Sequence, residues 1–441
     1  MAAPALIKTI VHSLLTSMGM RVLSMALRFV TICLLPLWLE PAEIGYTAII
    51  LIIVNIAFAI SDFGFGTALI KSEQMSPPLY QSVFTFTALS SSLMVLLIIL
   101  CAPVLETLFS VPAALVVIAS FGISFNAFSI VPNSLLQREL RFTSIAIRDF
   151  IGEIAFSATA ISLSCLGYGA FSIAAAVVAH RFVRWIIVSL SIRYQARFWI
   201  SVQELKRLAG FSFFQFVSIM LTQLFNQLDK LLLGLFLTPA TLGYYSQAQQ
   251  LTVSPIQSLT GAAKNVFFAS FSKVQKDDDT MRSLFVKITR WLWLLAGIYV
   301  GLLAPALHLV PIVYKPEWAA AVPIGIALCT TIPLFCAEIF EGIMIAIGGE
   351  RRRIISALSK LVLLVAGCAI VFTMFSSTDM PIAMGVILGI SILASVVINL
   401  CFICRRLSLK RHHIMAIFRT AMIGLGFALA GICASIYMMN C

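Results

Sequence analysis

The sequence predicts an all-α polytopic membrane protein, and three observations carry that reading. The 441 residues are 61% hydrophobic and only 11% charged. The mean hydropathy is +1.03, far above that of a soluble chain, which needs polar surface to cover itself. The apolar residues also fall in runs of about 20, enough to cross a bilayer core roughly 30 Å thick. In lipid each backbone amide needs a partner within its own segment, so such spans are helices.

Taken in order, the apolar segments lie near 14–38, 44–63, 81–103, 111–133, 145–166 and 169–190, then 210–236, 244–270, 288–313, 319–347, 354–375, 381–403 and 415–437, thirteen in all. Pro or Gly marks many of the breaks, as at Glu40-Pro41, Val111-Pro112, Gly167-Tyr168-Gly169, Thr238-Pro239 and Met380-Pro381. The first run is too long for a signal-peptide core and lacks a small-residue cleavage site, so it is expected to be a retained span.

Charge sets the expected orientation. With the N-terminus in the cytoplasm, the inner connections carry Lys71, then Arg138 and Arg141, then Arg193, Arg197, Lys206 and Arg207. The later ones carry Lys273, Lys276 and Arg282, then Arg351, Arg352 and Arg353, then Arg405, Arg406, Lys410 and Arg411. The outer connections hold Glu40, Glu43, Glu106, Glu317 and Asp379 against a single base, Lys315. Such asymmetry in short loops orients a membrane protein. The net charge of +12 then sits on the cytoplasmic face, pointing to anionic membrane lipids rather than nucleic acid.

Most of the ten cysteines lie inside apolar runs, where they act as small hydrophobes. Cys401 and Cys404 have C-x-x-C spacing, with His412 and His413 following, but no second Cys pair completes a metal site. No P-loop, nucleophile elbow or H-E-x-x-H is present, and the outer connections are too short for an integral-membrane glycan polymerase. Neither an enzyme nor a cofactor is expected.

One eight-residue stretch recurs. Leu39-Glu40-Pro41-Ala42-Glu43-Ile44-Gly45-Tyr46 and Leu237-Thr238-Pro239-Ala240-Thr241-Leu242-Gly243-Tyr244 share Leu, Pro, Ala, Gly and Tyr in register at an offset of 198. Six predicted spans separate the copies, so both halves have the same orientation, as in parallel-repeat transporters with substrate between two bundles. The expected organisation is a six-helix lobe over 1–200, a second over 201–405, and an extra transmembrane helix over 406–441.

Several further motifs bear on the family. They include Ser61-Asp62-Phe63-Gly64-Phe65-Gly66-Thr67-Ala68-Leu69-Ile70, the run from Pro132 to Phe142, Leu166-Gly167-Tyr168-Gly169-Ala170, and the run from Asn226 to Gly234. With Leu242-Gly243-Tyr244-Tyr245 and Leu251-Thr252-Val253-Ser254-Pro255 they span roughly 15–360. Together they resemble the Wzx-type polysaccharide flippases of the MOP superfamily, in particular the WzxC-like branch. The resemblance implies two lobes arranged as in MATE multidrug exporters. It also implies movement of a polyprenyl-diphosphate-linked oligosaccharide across the bacterial inner membrane by alternating access, for lipopolysaccharide or exopolysaccharide synthesis. Relatives usually have twelve or fourteen spans, against the thirteen counted here.

A charge at mid-bilayer costs about 2.5–3.5 kcal/mol on insertion scales, so it faces a cavity or a partner. Arg21 and Arg28 share a face of the first span, and Arg181 and Arg184 share one on the sixth. Arginine forks match diphosphate oxygens and lysine adds a point charge, so Arg21, Arg28, Arg181 and Lys264 are the expected diphosphate ligands. Snorkelling to the headgroups is the competing role for Arg21, Arg181 and Arg184. Gln215, Gln223, Asn226, Gln227 and Lys230 place polar groups on the seventh span, to bind sugar or to link helices. Asp229, Glu338 and Glu341 are the candidates for coupling to H+ or Na+. The alternative reading, a MATE-like cation or drug antiporter, calls for a carboxylate-dominated cavity.

Overall fold

The structure, a computed structural model, describes residues 3–72, 75–192, 194, 197–273, 277–409 and 411–440. Arg193, Lys276 and Lys410, and the side chains of Lys273, Arg351 and Arg353, lie outside the described residues. No strand occurs among the described residues. The helices are α1 (Ala3–Leu34), α2 (Pro41–Asp62), α3 (Phe65–Lys71), α4 (Pro77–Phe109), α5 (Ala113–Arg138), α6 (Phe142–Cys165), α7 (Phe171–Ser191), α8 (Val202–Phe236) and α9 (Pro239–Thr252). They continue as α10 (Ser254–Lys273), α11 (Asp278–Ala306), α12 (Val310–Val313), α13 (Ala321–Cys329), α14 (Ile332–Ala337), α15 (Ile339–Ala346), α16 (Glu350–Met374), α17 (Met380–Arg406) and α18 (Arg411–Asn440).

Every predicted apolar segment is helical, yet fewer helices pass as spans by length and composition. Among the described residues ten do, or eleven if Pro316–Cys329 and Ile332–Met344, bent by 44°, form one broken span. The differences from thirteen have a physical cause. Helix α6 carries Arg148, Asp149 and Glu153. The predicted 244–270 segment breaks at Val253 into α9 and α10, and α9 buries the polar Ser246, Gln247 and Gln249. Neither piece alone is long and apolar enough to count as a span.

The chain packs as two compact units, Met1–Gly243 and Tyr244–Cys441. In the first, α1 packs on α6, α6 on α7, α5 on α4 and α7, and α2 on α5 and α8. The second is built on α11 against α18, α16 against α17, and α10 against α14 and α15.

The motifs read from sequence turn out to hold helix ends. Pro41 opens α2, and a capping box closes as the Glu43 carboxylate accepts from the Glu40 amide at 2.9 Å. The other Glu43 oxygen takes the Ala170 amide at 3.2 Å, tying this turn to the Gly167–Ala170 turn. Between α2 and α3 the chain reverses through Phe63 (φ 47°) and Gly64 (φ 76°), and a Cβ at Gly64 would overlap the Ser212 carbonyl. Phe63, Phe65, Phe86 and Phe216 cluster around this reversal, Phe63 stacking on Phe216 at 4.7 Å. Arg138 donates to the Ser72 carbonyl at the end of α3, and Arg141 donates to the Ser191 carbonyl at the end of α7 at 2.9 Å. Cations there neutralise the negative helix ends.

The repeated stretches meet each other within the first unit. A Cβ on Gly45 would overlap the carbonyl of Pro239, and a Cβ on Gly243 would overlap the carbonyl of Pro41. The contact is reciprocal, as a two-fold relation between the copies requires.

Candidate functional site

The first unit encloses a polar cavity of about 380 Å³. Its walls come from Asn55, Phe58 and Asp62 on α2, Gly66 and Thr67 on α3, and Asn126, Asn133 and Gln137 on α5. Arg148 on α6, Arg181 and Arg184 on α7, and Gln223 on α8 complete it. Three guanidinium groups thus face one carboxylate.

The arginines are held in place from behind. Arg148, 4% exposed, donates to Asp149 at 2.6 and 2.9 Å and to the Asn133 amide oxygen at 2.5 Å. Asp149 is shared, for Arg184 reaches it at 2.8 Å. Arg181 donates to the Asn126 oxygen at 3.0 Å and lies over the Phe58 ring at 4.2 Å, a cation–π contact that favours the charge. The Nε atoms of Arg181 and Arg184 are buried and have no hydrogen-bond partner among the described residues. Buried N–H groups without partners are uncommon and ask for an acceptor. Asp62 accepts the Gly66 amide at 2.9 Å, so one oxygen starts α3 while the group stays on the cavity wall.

Behind this layer lies a second ionic layer. Arg28 on α1 pairs with Glu153 on α6 at 3.0 Å and sits over Phe156 at 4.9 Å. The buried His180 approaches the same carboxylate at 3.6 Å, and one turn along, Thr31 donates to Ser157 at 2.7 Å. Gly152 allows the layers to approach, since a Cβ there would stand 2.6 Å from Arg184 Cγ and 3.0 Å from His180.

The predicted site residues therefore fall in different places. Arg181 and Gln223 line the cavity. Arg28 lies behind it, neutralised by Glu153, and Arg21 is exposed on α1. On α8, Asn226 is exposed, Gln215, Gln227 and Lys230 are half-buried, and Asp229 is buried. Lys264 belongs to the second unit, where it joins the two predicted carboxylates in a closed cluster. Its ammonium lies 2.8 Å from Glu341 and 4.0 Å from Glu338, while Lys360 reaches Glu338 at 2.9 Å and Glu341 at 2.8 Å. Two positive and two negative groups cancel there.

Sequence reading missed Arg148, Asp149, Glu153 and Lys360, all within predicted spans. The acidic set drawn from sequence omitted Asp149 and Glu153. The available signal was helical spacing: Asp149 and Glu153 stand one turn apart on one face of α6.

Comparisons with known proteins agree on one kind of molecule. Residues 35–323 match the family described as polysaccharide biosynthesis protein. The succinoglycan biosynthesis transport protein ExoT of Rhizobium meliloti (strain 1021) is 28% identical over 320 residues, 72% of this chain and 65% of its own. The lipopolysaccharide biosynthesis protein WzxC of Escherichia coli (strain K12) is 22% identical over 302 residues, 65% of this chain and 59% of its own. The chain thus aligns with somewhat under two thirds of the length of these relatives. Among solved structures, the lipid II flippase MurJ in an inward closed conformation superposes with a TM-score of 0.74, covering 98% of both chains at 14% identity. An inward-facing multidrug resistance MATE family transporter of the MOP superfamily gives 0.61, with 86% of this chain and 94% of that one at 16% identity. The fold is the all-α membrane bundle of these transporters.

Proposed function

The chain belongs to the polysaccharide biosynthesis protein family, and from that premise we propose that it moves a polyprenyl-diphosphate-linked oligosaccharide across the bacterial inner membrane. The observation that carries this reading is the cavity on which Arg148, Arg181 and Arg184 oppose a single carboxylate, with two buried Nε donors unpartnered. Fixed guanidinium forks suit the oxygens of a diphosphate. Asn55, Asn126 and Gln223 add amides suited to sugar hydroxyls, while the polyprenyl tail stays in lipid. A cation or drug antiporter is less well served by such a wall.

On this reading Arg181 is the first diphosphate ligand, with Arg184 and Arg148 beside it. Arg28 acts from behind by holding Glu153 and His180 in place. Two lobes, near 1–200 and 201–405, with an added helix over 406–441, would alternate access, and the basic connections put the N-terminus in the cytoplasm. Asp229, Glu338 and Glu341 are the residues to test for coupling to H+ or Na+. Loss of Lys264 should act through its cluster with Glu341 rather than on the diphosphate.

The test is complementation of a strain lacking the gene. The parent chain should clear lipid-linked oligosaccharide from the cytoplasmic leaflet. Arg181→Gln should slow that clearance about 10- to 100-fold, the value of a hydrogen bond between charged groups, with Arg181→Lys recovering part. Unimpaired clearance by Arg181→Glu at matched membrane levels would refute the assignment.

A further inference from the structure

We propose that the groove between α11 and α18 is a binding site for an anionic phospholipid headgroup, separate from the transport cavity. The two helices run parallel and touch at a backbone crossing. A Cβ on Gly297 would overlap the Gly424 carbonyl, and one on Gly431 would meet the Gly301 carbonyl at 2.5 Å. Toward the N-terminus of α11 the end of α17 closes the other side, Arg282 Nε donating to the Leu407 carbonyl at 2.9 Å and Arg406 standing 3.8 Å from Asp278. Between these two closures the helices part and leave a groove of about 830 Å³.

The groove sorts its chemistry along its length. Lys287 and Arg290 on α11 and His412 on α18 supply donors at one end. Trp291 and Leu294 wall the other, and Trp291 is 56% exposed on the outer surface. The carboxylate in the lining, Asp279, is already taken by Arg282 at 2.6 Å. Lys287 and Arg290 have no ion-pair partner among the described residues. A phosphodiester meets those cations, and an acyl chain lies along the Trp291–Leu294 strip, where a free anion has nothing to fill. A zwitterionic headgroup would bring its amine up against Lys287 and Arg290, charges of the same sign. Basic pockets between transmembrane helices bind acidic headgroups by this combination.

The experiment uses the purified full chain, delipidated and returned to nanodiscs of phosphatidylethanolamine with or without phosphatidylglycerol. Retained lipid is read by native mass spectrometry. Phosphatidylglycerol should be retained selectively. Lys287→Gln with Arg290→Gln should lower its retention about 25-fold, at roughly fivefold for each basic residue near an acidic surface. Thr420→Phe fills the groove while keeping every charge and should also lower retention. Arg197→Gln, an exposed base in the first unit, should not. Equal retention of phosphatidylethanolamine, full displacement by inorganic phosphate, or undiminished binding by the double variant would each overturn the proposal. So would recovery of a lipid-linked saccharide in place of phospholipid.

Discussion

Removing the carboxylate at Asp149 probes the framework of the cavity most directly. Asp149→Asn keeps the shape of the side chain and discards its charge, on which Arg148 and Arg184 both depend. Breaking a buried ion pair by removing one partner costs about 3–5 kcal/mol, because the other charge is stranded. Arg148 is 4% exposed and feels that penalty, whereas Arg184, 24% exposed, can turn toward the cavity. The low end, about 3 kcal/mol, is therefore expected. Scaled to 441 residues, each kcal/mol shifts a melting temperature by about 1–2 °C, so detergent-purified Asp149→Asn should melt about 3–6 °C below the parent. Removing Arg148 as well, as in Arg148→Met with Asp149→Asn, leaves only Arg184, which is 24% exposed and can turn toward the cavity, and should recover at least half of the loss. A parental melting temperature for the single variant, or a double variant less stable than the single, would refute this account of what holds the arginines.

Other expectations follow from the same geometry. Gly152→Ala should move the Arg184 stem and slow transport more than it lowers stability, as clearance assays beside a melting curve would reveal. Lys360→Met leaves Glu338 and Glu341 with Lys264 alone and should cost about 3 kcal/mol, partly restored when Glu338→Gln is added, by the same melting assay. Gly45→Ala and Gly243→Ala should each cost about 1–3 kcal/mol through overlap with a backbone carbonyl, and by similar amounts. Glu338→Gln with Glu341→Gln should abolish ion-dependent transport if these groups carry the coupling ion; retained dependence would exclude them.

Much of the helical frame was legible because apolar runs long enough to span, such as α2, α4 and α17, show in the sequence directly. The places where reading failed were those where a polar group is paid for by a distant neighbour. Arg148 and Asp149 are adjacent in sequence, but Asp149 also serves Arg184, 35 positions on. Lys360 sits in an apolar run, and only folding brings it to Glu338 and Glu341. Arg28 and Arg181 were both recognisable as charges in spans. Sequence could not say that one meets Glu153 and the other a cavity, since that depends on how α1, α6 and α7 rotate about their axes. The recurring Leu39–Tyr46 pattern was visible as a repeat, but its contact with its own second copy was not.

That contact restricts how such chains can be recombined. Each glycine leaves room for the other copy's proline carbonyl, so the register of residues 239–243 on α2 has no slack. Sliding α9 by one residue would bring Leu242 or Tyr244 in place of Gly243 against Pro41. A chimera of two relatives should therefore take residues 41–45 and 239–243 from the same parent, wherever else the joints fall. Length changes in the α8–α9 connection, which would shift that register, should be poorly tolerated.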